Sequence, residues 1–116
     1  MIRFELHFGL AVRRVCCLPV SELREWIVNH CAIEAYYLHE VSGYWNGKME
    51  RSVVMVTIIP ESEERDTKAL LKALAHEYRV DFTQDAVLLC WSQTNCAMVQ
   101  SIDESPVWKG NPDDSE

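Results

Sequence analysis

The residue pattern predicts an α+β domain: four antiparallel strands carrying two helices on one face, in the chain order β-α-β-β-α-β. Three observations lead there. Ile2, Phe4, Leu6 and Phe8 alternate with Arg3, Glu5 and His7, the two-residue period of a strand with one buried face. Asn46-Gly47 supplies two residues that tolerate positive φ, as a tight type I′ hairpin turn requires, and the β-branched tract Val53 to Ile59 follows it. Leu70, Leu71, Leu74, Ala75 and Tyr78 then mark one helical stripe, ahead of the short apolar run Ala86 to Trp91.

Taken in order, the first strand ends at Gly9, and residues 10–20 form a connection that holds Arg13-Arg14 and Cys16-Cys17. Ser21 is placed to cap a helix over residues 21–32, with Glu22 and Glu25 in the first turn, where acids suit the helix dipole. The aromatic-rich segment 34–45 fits a second strand. The third runs over 48–59 and is stopped by Pro60. Residues 61–66 make an acidic loop and helix start, and the second helix runs to about Val80. Residues 86–91 are the fourth strand and 97–102 a candidate fifth. The domain thus covers 1–102, and 103–116 form an acidic tail rich in Pro, Ser and Asp. This order is that of the ferredoxin-like split βαβ fold. Val53 to Ile59 lacks the alternation of a half-solvated strand, so a second copy of the chain is expected on the open face of the sheet.

Composition narrows the function. With 116 residues, 48% of them apolar and 25% charged, the chain suits one soluble domain. No apolar run approaches the ~20 residues of a membrane span, and the alternating N-terminus lacks the apolar stretch of a signal peptide. A cytoplasmic protein is expected. Five cysteines without a C-x-x-C pair read as reduced thiols rather than zinc ligands or disulfides. The net charge of −7 argues against general nucleic-acid binding. Asp103, Glu104, Asp113, Asp114 and Glu116 against Lys109 give the tail −4, leaving −3 for the first hundred residues.

Tyr44-Trp45-Asn46-Gly47-Lys48 resembles the aromatic-Trp-x-Gly-Lys turn of the divalent-cation-tolerance proteins, and His76-Glu77-Tyr78-Arg79-Val80 resembles their His-x-Tyr-x-Val segment. These proteins share a ferredoxin-like trimeric form with the PII signal proteins. The resemblance covers residues 41–89 and implies that fold and a homo-oligomer. Glu77 replaces the expected proline, and a two-residue turn stands where PII proteins carry a long ligand-gripping loop. PII-type nucleotide binding is therefore not implied. The hairpin and the Gln-Asp-Ala-Val segment also resemble those of small bacterial and phage ferredoxin-like proteins.

No catalytic constellation emerges. His7, His30, His39 and His76 form no metal-binding spacing, Cys31 follows His30 on a helix where neighbours do not face each other, and no Gly-x-Ser-x-Gly elbow occurs. No cofactor is expected. Aromatic and basic residues do interleave: Arg13, Arg14, Tyr44, Trp45, Lys48, Arg51 and Trp91 are the candidate ligand residues, since rings stack on bases and guanidinium groups grip phosphates. Trp108, a lone aromatic residue in a polar tail, is a candidate partner contact. Two functions are expected on these grounds. One is a non-enzymatic homo-oligomer that binds or sequesters a small anionic nucleotide-like molecule at subunit interfaces. The other is a phage-type anti-defence inhibitor that binds a host protein.

Overall fold

The computed structural model describes residues 1–12 and 17–99. In chain order it holds β1 (Ile2–Gly9), α1 (Val20–His30), β2 (Tyr37–Trp45), β3 (Lys48–Ile59), α2 (Glu64–Phe82) and β4 (Leu88–Gln93), with a 3₁₀ turn at Glu61–Glu63 ahead of α2. The strands form one antiparallel sheet in the order β2-β3-β1-β4, the ferredoxin-like arrangement. Asn46 (φ 51°) and Gly47 (φ 77°) make the hairpin turn with the positive angles that their sequence implied.

One face of the sheet is covered. Phe4, Leu6 and Phe8 of β1 are fully buried beside Val53 and Met55 of β3, under Leu23 and Ile27 of α1 and Leu71, Leu74 and Tyr78 of α2. Rings tie this layer together. Phe8 meets Tyr78 edge-on at 4.9 Å, Trp26 meets Tyr78 at 5.5 Å, and Phe82 lies 4.9 Å from Tyr78. Trp26 donates its indole N–H to the Asp81 carboxylate at 3.0 Å, joining the C-terminal ends of α1 and α2.

Several sequence expectations need correction. The first helix begins after Pro19, not Ser21, and no side chain caps it; the Pro19 carbonyl accepts from the N–H groups of Glu22 and Leu23, both at 3.1 Å. Proline fits this place because its extended backbone angles end the preceding segment. On α2 the buried positions are Thr67, Leu71, Leu74 and Tyr78, while Leu70 is 43% exposed because it falls off that stripe. The expected fifth strand is not formed over 97–99, where Met98 and Val99 are almost fully exposed. β4 already ends at Gln93, and Ser92 to Asn95 interrupt the apolar pattern there. The rest of that expectation, 100–102, and the tail lie outside the described residues.

The two-sided burial of the Val53–Ile59 tract is a further difference. Val54 and Val56 face away from the helices, yet they are 3% and 0% exposed in a single chain. β3 is an inner strand, and these valines are flanked by His7 and Glu5 across β1 and by His39 and Tyr37 across β2. Their burial needs no second subunit. What remains open on this face is its rim, where Tyr37, Ile58 and Leu88 are exposed.

Candidate functional site

Three segments meet where β1 ends. Leu10 donates its N–H to the Arg51 carbonyl at 3.0 Å, extending the β1–β3 ladder by one step. Tyr78 donates its hydroxyl to the Gly9 carbonyl at 2.5 Å, so α2 grips the strand at its last residue. Burial pushes the Tyr78 phenol well above its usual range, with the charge of Glu50 adding to the shift. At the end of α2, Thr83 takes the left-handed conformation (φ 57°), and the Gln84 N–H returns to the Arg79 carbonyl at 3.0 Å. That reversal brings Gln84 back to β1, where its side-chain amide donates to the Ala11 carbonyl at 2.6 Å.

The result is a cleft of about 340 Å³ with His7, Gly9, Glu50, Ser52 and Gln84 around it, and Val87 and Leu88 as an apolar wall. Gly9 shapes the floor. A Cβ there would lie 3.0 Å from Glu50 Oε2, so that carboxylate would have to shift by a few tenths of an ångström, and in ordinary contact, 3.6 Å, with Gln84 Oε1. Glu50 and Gln84 Oε1 supply acceptors, Ser52 a hydroxyl of either sense, and His7 an imidazole. His7 Nε2 lies 3.3 Å from Glu5 Oε1, and Glu5 also meets Arg3 Nη2 at 3.0 Å, a polar row along the open face. Such a set favours a ligand that presents hydroxyl or amine donors beside an apolar or planar part.

Glu50 also borders a second hollow of about 410 Å³, lined by Leu10, Cys17, Lys48, Met49 and Arg51 among others. The candidate ligand residues divide around it. Lys48 and Arg51 are there, but Arg51 Nη2 is paired with Glu40 Oε1 at 2.6 Å, which leaves it less able to grip an anion. Tyr44 stands opposite Met49 on the hairpin, 71% exposed. Trp45 pairs with Lys48 in register, but its side chain lies outside the described residues. Arg13 and Arg14 lie outside them as well, as does Trp108. Trp91 is not brought to this end. It sits on β4, at the opposite edge of the sheet from the hairpin, with its ring 6.4 Å from Phe4 and Lys68 Nζ 4.1 Å from its centroid. Alternation alone cannot tell one sheet edge from the other, and that is why the sequence grouped it with Tyr44.

Gly9, Glu50, Ser52 and Gln84 were not among the sequence candidates. The available signals were a glycine closing an alternating strand and a Gln-Asp pair opening the next. Among the described residues no group of three or more His, Cys, Asp or Glu side chains is arranged to hold a metal ion. Cys17, Cys31, Cys90 and Cys96 are free thiols, and burial raises the pKa of Cys31 against a smaller opposing effect from a hydrogen bond with the Ile33 backbone. Among the described residues no helix is long and apolar enough to cross a membrane.

No family model matches this chain. No curated protein matches it either. Among solved structures it is similar to a phage SAM lyase in complex with S-methyl-5'-thioadenosine, with a TM-score of 0.55 and 18% identity over 79% of this chain and 80% of that one. At this identity the likeness is one of fold.

Proposed function

We propose that this protein binds a small nucleoside-like molecule of the adenosine thioether or sulfonium class in the cleft beside Gly9, and that it does so as a homo-oligomer. The observation that carries the reading is the acceptor-rich lining of that cleft, Glu50, Ser52 and Gln84 around a glycine floor. A ribose offers hydroxyl donors to Glu50 and Ser52, and the carboxamide of Gln84 matches the amino edge of adenine. A neutral or cationic ligand suits this lining better than the anion expected from the sequence, because Glu50 borders both hollows and Arg51 is held by Glu40. The fold shared with a protein solved with S-methyl-5'-thioadenosine adds support for the ligand class. The exposed rim of the open face, with Tyr37, Ile58 and Leu88, supplies the surface for self-association.

Calorimetry and native mass spectrometry with S-methyl-5'-thioadenosine and S-adenosylmethionine test the proposal together. The expected result is saturable binding, weakened at least about tenfold, or ~1.4 kcal/mol, by Glu50→Gln and by Gly9→Ala. Absence of binding at millimolar ligand removes the reading. Product analysis on the same samples separates a binder, which returns the sulfonium intact, from a lyase.

The second reading, an inhibitor that engages a host protein, draws its support from the phage origin of the similar structure. A stoichiometric protein partner in a host-lysate pull-down, with no nucleoside bound, would favour it.

A further inference from the structure

α2 carries a basic flank in an acidic protein. Lys68, Lys72, His76 and Arg79 follow one another at steps of four, four and three residues, so they share one side of the helix. The last three border a groove of about 330 Å³ between α2 and β4, whose apolar part is Ala75, Val87, Leu89 and Trp91. Lys68 extends the flank over the Trp91 ring and reaches Glu64 at 3.8 Å. Among the described residues no carboxylate pairs with Lys72 or Arg79. The groove therefore holds two cations, Lys72 and Arg79, without a carboxylate partner among the described residues, beside apolar surface that includes a 46%-exposed tryptophan.

We propose that this groove is the docking site of the chain's own acidic segment, residues 100–116. Charge complementarity is the first argument. The segment carries Asp103, Glu104, Asp113, Asp114 and Glu116 against Lys109, more than half of the chain's net −7. Its apolar residues are the second. Val107 and Trp108 lie between the two acidic groups, so an apolar anchor flanked by carboxylates meets an apolar groove with a cationic wall. Reach is the third. β4 ends at Gln93, tied to Glu61 beside the start of α2, so the chain leaves the sheet at the Lys68 and Trp91 end of the groove. From Lys68 to Arg79 is about 16 Å at the helical rise, a span that about five extended residues cover. Among the described residues no strand borders the outer edge of β4, so that edge is open to pairing. The inference is independent of the nucleoside reading, since the groove and the cleft share only Val87.

Carbodiimide cross-linking of the full chain tests it, with unlabelled and ¹⁵N-labelled protein mixed before reaction and the products resolved by mass spectrometry. Lys72 or Lys68 should join to Asp103, Glu104, Asp113, Asp114 or Glu116 within one chain. The yield should fall several-fold at about 1 M salt, where the screening length is ~3 Å. The full-length double variant Lys72→Glu/Arg79→Glu should keep its circular dichroism spectrum and lose the remaining links to Lys68. The proposal is overturned if the acidic segment links to Lys48 as readily as to Lys72, or if the links form only between chains. Unchanged linking to Lys68 in the double variant would overturn it too, as would a separate acidic partner occupying the groove while residues 100–116 link elsewhere.

Discussion

The two faces of β1 divide the work of this protein. Phe4, Leu6 and Phe8 point under the helices and are wholly buried, whereas Arg3, Glu5 and His7, one residue out of step, form a polar row on the other side. The first set is held by packing and rings. The second is held by the Arg3–Glu5 ion pair and the His7–Glu5 contact, which are about one-third exposed and contribute little to stability. One strand thus presents a rigid floor to the helices and an adjustable lining to the cleft, because a pleated backbone sends successive side chains to opposite faces.

The sharpest test of this contrast sets Phe8→Ala against His7→Ala. The first should cost about 3–5 kcal/mol, since it removes a ring packed edge-on against Trp26 and Tyr78. The second should stay within about 1 kcal/mol while weakening ligand binding. Urea denaturation measures both, and comparable losses from the two would break the comparison.

Tyr78 joins the two regions, because its ring packs in the covered layer and its hydroxyl holds the Gly9 carbonyl at the cleft. Tyr78→Phe should cost about 1–2 kcal/mol. It should also change the alkaline limb of the stability profile. The folded phenol titrates above its unfolded value of 10.0, so the unfolded chain loses that proton first. Stability from this group is fully present below pH 10 and falls as pH rises beyond it. Denaturation between pH 9 and 11 should show a shallower decline in the variant.

Thr57, buried on the covered face, donates its hydroxyl to the Ala35 carbonyl at 2.7 Å and so fixes the approach to β2. Thr57→Val should cost about 1 kcal/mol or slightly more, by leaving that carbonyl unpaired. The smallest effect is expected at Thr83, a β-branched residue in the left-handed conformation. Thr83→Gly should gain a few tenths of a kcal/mol to about 1 kcal/mol by relieving the cap. A thermal melt resolves this. A loss would mean that Thr83 makes a contact that outweighs its backbone strain.

Much of the architecture is legible along the chain. The alternation of Ile2 to Phe8 marked β1 and its buried face, Asn46-Gly47 located the hairpin, and Pro60 ended β3 at Ile59. These are local signals, set by steric limits on φ and by the period of each element. Leu70 was misread because three apolar neighbours, Leu70, Leu71 and Leu74, fit more than one stripe, and only contact with the sheet selects among them. The candidate site was less legible. Arg51 looked free until Glu40 on the neighbouring strand paired with it, and Trp91 joined the hairpin group on residue type alone.

The sequence by itself determined the elements and the buried side of β1, because backbone sterics and hydrophobic periodicity act over a few residues. Tertiary structure decided which residues share a site. His7, Gly9, Glu50, Ser52 and Gln84 are drawn from three separate stretches of chain. They converge because strand order, register and the left-handed end of α2 bring those stretches to one end of the sheet, and no local pattern encodes such long-range pairing.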